Sequence, residues 1–134
     1  MELNNKQALK SFKGLQIFGS FKLPKPLAWK VYTSKKVLSP FCETATQLIS
    51  ENEIEHALKD GEGNVVLSKN ALGEDMPNTY IVSGDKIESY RKNLDSIHAL
   101  TFTVENVGFA LNDIPNDLQL EPELFELLED IITP

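Results

Sequence analysis

Apolar residues recur along this chain at two spacings, and each spacing predicts a different element. Leu3, Ala8, Leu9 and Phe12 fall close to one face of a helix over Asn4 to Phe12, with Lys6, Lys10 and Lys13 outside it and Gly14 as a stop. Leu15, Ile17, Gly19, Phe21 and Leu23 alternate instead, which predicts a strand over Leu15 to Leu23. Leu27, Trp29, Val31 and Thr33 alternate again, and Pro24 and Pro26 between the two runs suit the connector of a strand pair. Ser39-Pro40 marks a break.

Helical spacing returns over Thr44 to Asp60 in Ala45, Leu48, Ile49, Ile54, Ala57 and Leu58. Ser50 followed by Glu53 has the spacing of a capping box, so a second helix could open at Glu51. A turn at Gly61 to Asn64 leads to a short strand over Val65 to Leu67, and Asn70 to Asn78 reads as a polar loop. Thr79 to Val82 and Ile87 to Arg91 flank Ser83-Gly84-Asp85-Lys86, a turn composition that predicts a hairpin. The β-branched run Leu100 to Val104 predicts a strand, and Asn106 to Gln119 reads as loop.

The clearest element is the last. Pro122 suits a first helical position, and Glu121 and Glu123 suit the positive end of a helix. Leu124, Phe125, Leu127, Leu128, Ile131 and Ile132 then form a broad apolar face. Strands in runs, not alternating strictly with helices, predict an α+β fold. The expectation is a single globular domain over residues 1–134. One mostly antiparallel sheet of about five or six strands would pack with an N-terminal, a central and an acidic C-terminal helix.

Charge changes the picture more than composition does. Residues 1–40 carry eight Lys and one Glu, whereas residues 93–134 carry nine acids and no Lys or Arg, within a net charge of −7. Such sorting predicts either a fold that neutralises itself or a binding surface of one sign. An acidic chain is poorly suited to a phosphate backbone, so no nucleic-acid partner is expected. No apolar run reaches the length that spans a bilayer, and the first residues lack the apolar stretch of a leader, so neither a membrane nor export is expected. Cys42 is the only cysteine, which fits a reducing, cytoplasmic compartment.

Chemistry-bearing residues are sparse. Cys42, His56, His98, Tyr80 and Tyr90 are the plausible reactive groups, and no spacing unites them into a nucleophile with its base. Glu51, Glu53, Glu55 and His56 lack the paired histidines of a zinc helix. Asn112, Asp113, Asn116 and Asp117 miss the spacing of a calcium loop, with Pro115 between them. Gly61-Glu62-Gly63 has no Lys-Ser or Lys-Thr after it, as a phosphate loop requires. No catalytic residue, metal or cofactor is therefore expected.

What remains is a set of acids that could meet a basic protein: Asp113, Asp117, Glu121, Glu123, Glu126, Glu129 and Asp130. The function expected from them is that of a small acidic binding protein. It would neutralise or regulate one basic partner, in the manner of an immunity protein or a phage-encoded inhibitor. A structural module acting through self-assembly is the alternative, and a small enzyme the reading with least behind it.

Residues 76–90 read MPNTYIVSGDKIESY. This stretch resembles the core of the small PGDYG-motif domains of phages and bacteria, whose pattern runs Pro-Gly-Asp-Tyr-(Ile/Leu)-Val-x-Gly-x-x-Gly-Glu-x-Tyr. Pro77, Tyr80, Ile81, Val82, Gly84, Glu88 and Tyr90 match in register. Asn78, Thr79 and Ile87 stand where that pattern has Gly, Asp and Gly. The resemblance implies a compact β-rich domain and a hairpin across Gly84, and carries no activity with it.

Overall fold

The computed structural model describes the backbone of residues 1–134 and the side chains other than that of Asn78, whose place in the 76–90 motif lies outside the described residues. The fold is α+β. In chain order it runs β1 (Glu2–Asn4), α1 (Asn5–Phe18), α2 (Lys25–Glu55), β2 (Leu67–Lys69), β3 (Asp75–Tyr80), α3 (Ile87–Ala99), β4 (Thr101–Thr103), β5 (Phe109–Ala110), α4 (Pro122–Leu128) and β6 (Ile132–Thr133). The chain packs as two compact units, Met1–Ala45 with His98–Pro134, and Thr46–Ile97. Helix α2 contributes residues to both.

The expected five- or six-stranded sheet is not formed. Among the described residues the strands pair two by two, β1 with β4, β2 with β3 and β5 with β6. The first two pairs are antiparallel and the last is parallel. The missing strands are helices. Leu15 to Leu23 alternates locally, but α1 continues through it to Phe18 because Ala8, Ser11, Leu15 and Phe18 recur every three or four residues and are all fully buried. Leu27 to Thr33 likewise belongs to α2, whose buried stripe is Leu27, Val31, Ser34, Leu38, Cys42 and Ala45. Over six or seven residues the two periods share many apolar positions; only the longer window separates them.

Most of the expected punctuation marks also act differently. Asn4 does open α1, with a capping box in which Asn4 Oδ1 accepts from Gln7 N at 2.8 Å and Gln7 Oε1 accepts from Asn4 N at 2.9 Å. Gly14 does not stop it: the glycine sits mid-helix where α4 comes close. Pro24 and Pro26 stand at the start of α2, where a missing N–H costs nothing. Pro40 lies inside α2 without ending it. An internal proline costs about 3 kcal/mol, but its ring points outward while Leu38, Cys42 and Ala45 are buried on the opposite side. No second helix opens at Glu51, since α2 runs on to Glu55.

The first unit has the larger core. Phe18 packs against Phe109 with ring centroids 5.3 Å apart, and Phe41 stacks on Phe102 at 4.0 Å. Leu3, Leu15, Leu27, Leu38, Leu128 and Ile131 complete it. Strand β4 falls where the β-branched run placed it, and α4 begins at Pro122 as expected. The helix ends at Leu128, so Ile131 and Ile132 belong to the turn and strand that follow, with Phe109 N donating to Ile131 O at 3.3 Å. Gly108 makes that approach possible. Its φ is +95°, and a Cβ there would sit 2.0 Å from Ile131 O.

The second unit holds the end of α2, the β2–β3 hairpin and nearly all of α3. The hairpin turn is at Asn70 to Glu74, inside the expected loop; Asn70 Oδ1 accepts from Leu72 N and Glu74 N at 2.9 and 3.0 Å. No hairpin forms across Gly84. Residues 84–86 make one 3-10 turn that leads into α3, so Ile87 to Arg91 is helix and not strand. Glu88 at the first turn and the helical recurrence of Ile87, Tyr90, Leu94 and Ile97, the half-buried side of α3, suit a helix, a signal outweighed in the sequence by the turn composition before it.

Candidate functional site

The seven carboxylates expected to form one acidic surface are divided by the fold. Glu129 and Asp130, just beyond α4, converge on one cation: Lys10 Nζ on α1 lies 2.9 Å from Glu129 Oε1 and 2.8 Å from Asp130 Oδ2. Gln7 Nε2 donates to Asp130 Oδ1 at 3.4 Å. Hydrogen bonds to Asp130 and then Glu129 hold the Lys10 ammonium above its ordinary pKa. Asp113 is engaged elsewhere, with Lys30 Nζ at 2.8 Å and the Ala110 N–H at 2.9 Å on the same oxygen. Those two contacts, Lys30 first, hold the Asp113 carboxyl below its ordinary value. Three of the seven acids thus complete internal pairs with the lysine-rich segment, which is the self-neutralising use of the charge sorting.

Asp117, Glu121, Glu123 and Glu126 are exposed, and none has an ion pair among the described residues. Asp117 stands apart, on a cleft with Lys22, Leu23, Pro24, Pro115 and Leu118. Glu121 and Glu123 come together at a groove between the end of α1 and the start of α4, with Ile17, Phe21, Leu124 and Leu127 as its apolar walls. Its volume is about 320 Å³. The groove exists because α1 and α4 approach closely at Gly14, where a Cβ would lie 2.8 Å from Leu128 Cδ2 and 3.0 Å from Leu127 Cβ. Beyond that contact Ile17 and Phe21 line an apolar trough with Leu124 and Leu127. Ile17 is 43% exposed, a large apolar side chain left half open beside two carboxylates. Such a trough takes an apolar side chain flanked by a cation: the walls supply burial and the rim supplies charge.

The reactive groups are likewise only partly assembled. In the second unit the buried His56 directs Nδ1 to Asn52 O at 2.8 Å and Nε2 to Ser89 Oγ at 3.1 Å, with the Tyr90 ring edge-on at 6.1 Å. Asn52 Nδ2 donates to Tyr90 O at 3.1 Å. A carbonyl partner makes Nδ1 a protonated nitrogen, and in the neutral ring Nε2 accepts from the serine hydroxyl. Ser89 and Asn52 were not visible as His56 partners in the sequence, although Asn52 and His56 share a helix face at i, i+4. The arrangement ties the last turn of α2 to the first turn of α3. Cys42, in the first unit, is buried with Sγ 3.5 Å from Ala8 O. Burial pushes its thiol up from 9.0 to about 11, which leaves it protonated and a weak nucleophile at neutral pH.

Among the described residues no group of three or more His, Cys, Asp or Glu side chains is placed to hold a metal ion. Among the described residues no helix is long and apolar enough to cross a membrane. The chain matches no family model, no curated protein and no solved structure.

Proposed function

We propose that this chain is an acidic binding module that recognises a basic protein through the trough of Ile17, Phe21, Leu124 and Leu127. The observation that carries the reading is the placement of Glu121 and Glu123 on the rim of that apolar trough, exposed and without internal cations. An apolar anchor of the partner enters the trough, and a neighbouring Lys or Arg meets the two carboxylates. Asp117 and Glu126 add longer-range attraction that speeds encounter. Glu129, Asp130 and Asp113 serve the fold in this reading, because Lys10 and Lys30 already neutralise them. Inhibition or neutralisation of the partner, as an immunity protein or phage-encoded inhibitor would achieve it, follows if the bound surface is the partner's working surface.

The test is titration of a short synthetic peptide, one Phe between lysines, followed by fluorescence anisotropy. Saturable binding that weakens as salt rises and is lost in Glu121→Lys/Glu123→Lys is the expected result. Binding that persists in that variant, or is lost equally in Asp117→Asn, would reject the trough as the site.

A further inference from the structure

Trp29 is the only tryptophan of the chain, and it is 65% exposed. Its ring lies 5.6 Å from that of Tyr32, itself 52% exposed. The pair sits on the exposed side of α2, away from the buried stripe of Leu27, Val31 and Leu38. Lys36 follows on that exposed side, one helical turn after Tyr32, and lines the open clefts on both sides of it. Lys35 lines the cleft beside Tyr32. Among the described residues neither lysine has an ion-pair partner. Large aromatics flanked by uncommitted cations and left in water are the composition of an interface centre, not of a solvated helix face.

The chemistry this exposed side seeks is an apolar trough with a carboxylate rim, and the chain carries one. We infer that the partner of the acidic trough is a second copy of this chain: Trp29 of one copy enters the trough of Ile17, Phe21, Leu124 and Leu127 of the next, and Lys35 and Lys36 meet its Glu121 and Glu123. This rests on the reading of the trough proposed above and names the partner. A trough of about 320 Å³ has room for one aromatic side chain. The two faces are different patches of the same unit, so the contact is head-to-tail and leaves a free face at each end. Such a contact adds copies into a ring or a filament and does not stop at two. The net charge of −7 on each copy opposes approach over long distances, and physiological salt screens that repulsion beyond about 8 Å while leaving the contact pairs in place.

Sedimentation velocity over a concentration series up to millimolar, at physiological salt, tests this, with Trp29 emission as an internal reporter. The intact chain is expected to rise in mean mass past that of a dimer while its emission shifts to the blue. Trp29→Ala is expected to weaken association by about tenfold or more. Lys35→Glu/Lys36→Glu and Glu121→Lys/Glu123→Lys are each expected to be monomeric with unchanged circular dichroism, and an equimolar mixture of the two to associate. A chain that stays monomeric, or a mixture no better than its components, overturns the inference. The Phe-lysine peptide separates the two levels. Peptide binding by a monomeric chain leaves the trough standing as a site for another basic protein. Self-association that survives Glu121→Lys/Glu123→Lys rejects the inference, and peptide binding that survives it as well would reject both.

Discussion

Gly14 of α1 faces Leu128 of α4 so closely that a Cβ on the glycine would lie 2.8 Å from Leu128 Cδ2 and 2.9 Å from Leu128 Cγ. Leu128 is fully buried, so it has no open space to retreat into. Alanine favours a helix by about 1 kcal/mol over glycine, but overpacking a closed core costs about 1–3 kcal/mol. Gly14→Ala is therefore expected to destabilise in urea titration and to spread the α1–α4 trough. Lower affinity for the Phe-lysine peptide would accompany the lower midpoint. Unchanged stability would show that Leu128 can repack.

Gly108→Ala is expected to cost more than Gly14→Ala. The new Cβ would meet a backbone carbonyl, Ile131 O at 2.0 Å, and φ of +95° is strained for any residue with a side chain. Amide exchange should show early loss of the β5–β6 pair and of the Gly108 N–H bond to Ser34 Oγ, 2.8 Å in the native chain. A midpoint shift smaller than that of Gly14→Ala would contradict this.

Cys42 should resist alkylation in the native chain. Its thiol is buried and its pKa is about 11, against 9.0 for an ordinary thiol, so little thiolate exists at pH 8. Iodoacetamide labelling followed by mass spectrometry should be slow in buffer and fast in denaturant. The raised value favours the protonated thiol in the fold, so this contribution is complete below pH 9 and is lost as pH rises through about 11.

The two ion-paired sites give opposite pH signatures. Lys10 has a raised pKa, so its contribution is present below the ordinary lysine value of 10.5 and is lost as pH climbs through the higher folded value. Asp113 has a lowered pKa, so its contribution is present above the ordinary carboxylate value of 3.8 and is lost as pH falls through the lower folded value. Denaturation midpoints against pH should show Lys10→Met flattening only the alkaline limb and Asp113→Asn only the acidic one. Both pairs are partly exposed, so each effect is small.

Ser89→Ala should leave His56 Nε2 without its partner and cost about 1 kcal/mol. Faster amide exchange confined to the first turn of α3 and the last turn of α2 is the expected readout. An unaffected exchange pattern would assign that clamp to Tyr90 and Asn52 alone.

The elements legible in the sequence include the helix that begins near Asn4, the β-branched run at β4, and Pro122 at the first position of α4; the Asn4–Gln7 capping box itself emerged only from the structure. Where the signal was a period read over a short window, the reading failed. Leu15 to Leu23 and Leu27 to Thr33 alternate over a few residues, but Ala8 to Phe18 and Leu27 to Ala45 keep the helical period over the longer range, and burial follows the longer range. Gly14 and Pro40 were read by their intrinsic tendencies, which a neighbour's packing and an exposed helix face override. The acids were legible as a group but not as a division. Nothing in the composition separates Glu129 from Glu123, since only the meeting of α1 with the segment after α4 gives one of them a lysine.

The first unit is assembled from both ends of the chain, with β1 paired to β4, α1 packed on α4, and β5 paired to β6. Residues 46–97 are by contrast one unbroken stretch. On the ribosome that stretch emerges whole while Gly14 still has no Leu128 to meet and Phe109 no Ile132. The larger core therefore closes after its last strand has been made, and its rate is set by joining distant segments, not by helix formation. Until then the apolar sides of α1 and α2, with Leu15, Phe18, Leu27 and Val31 buried in the finished fold, lack the segments that cover them.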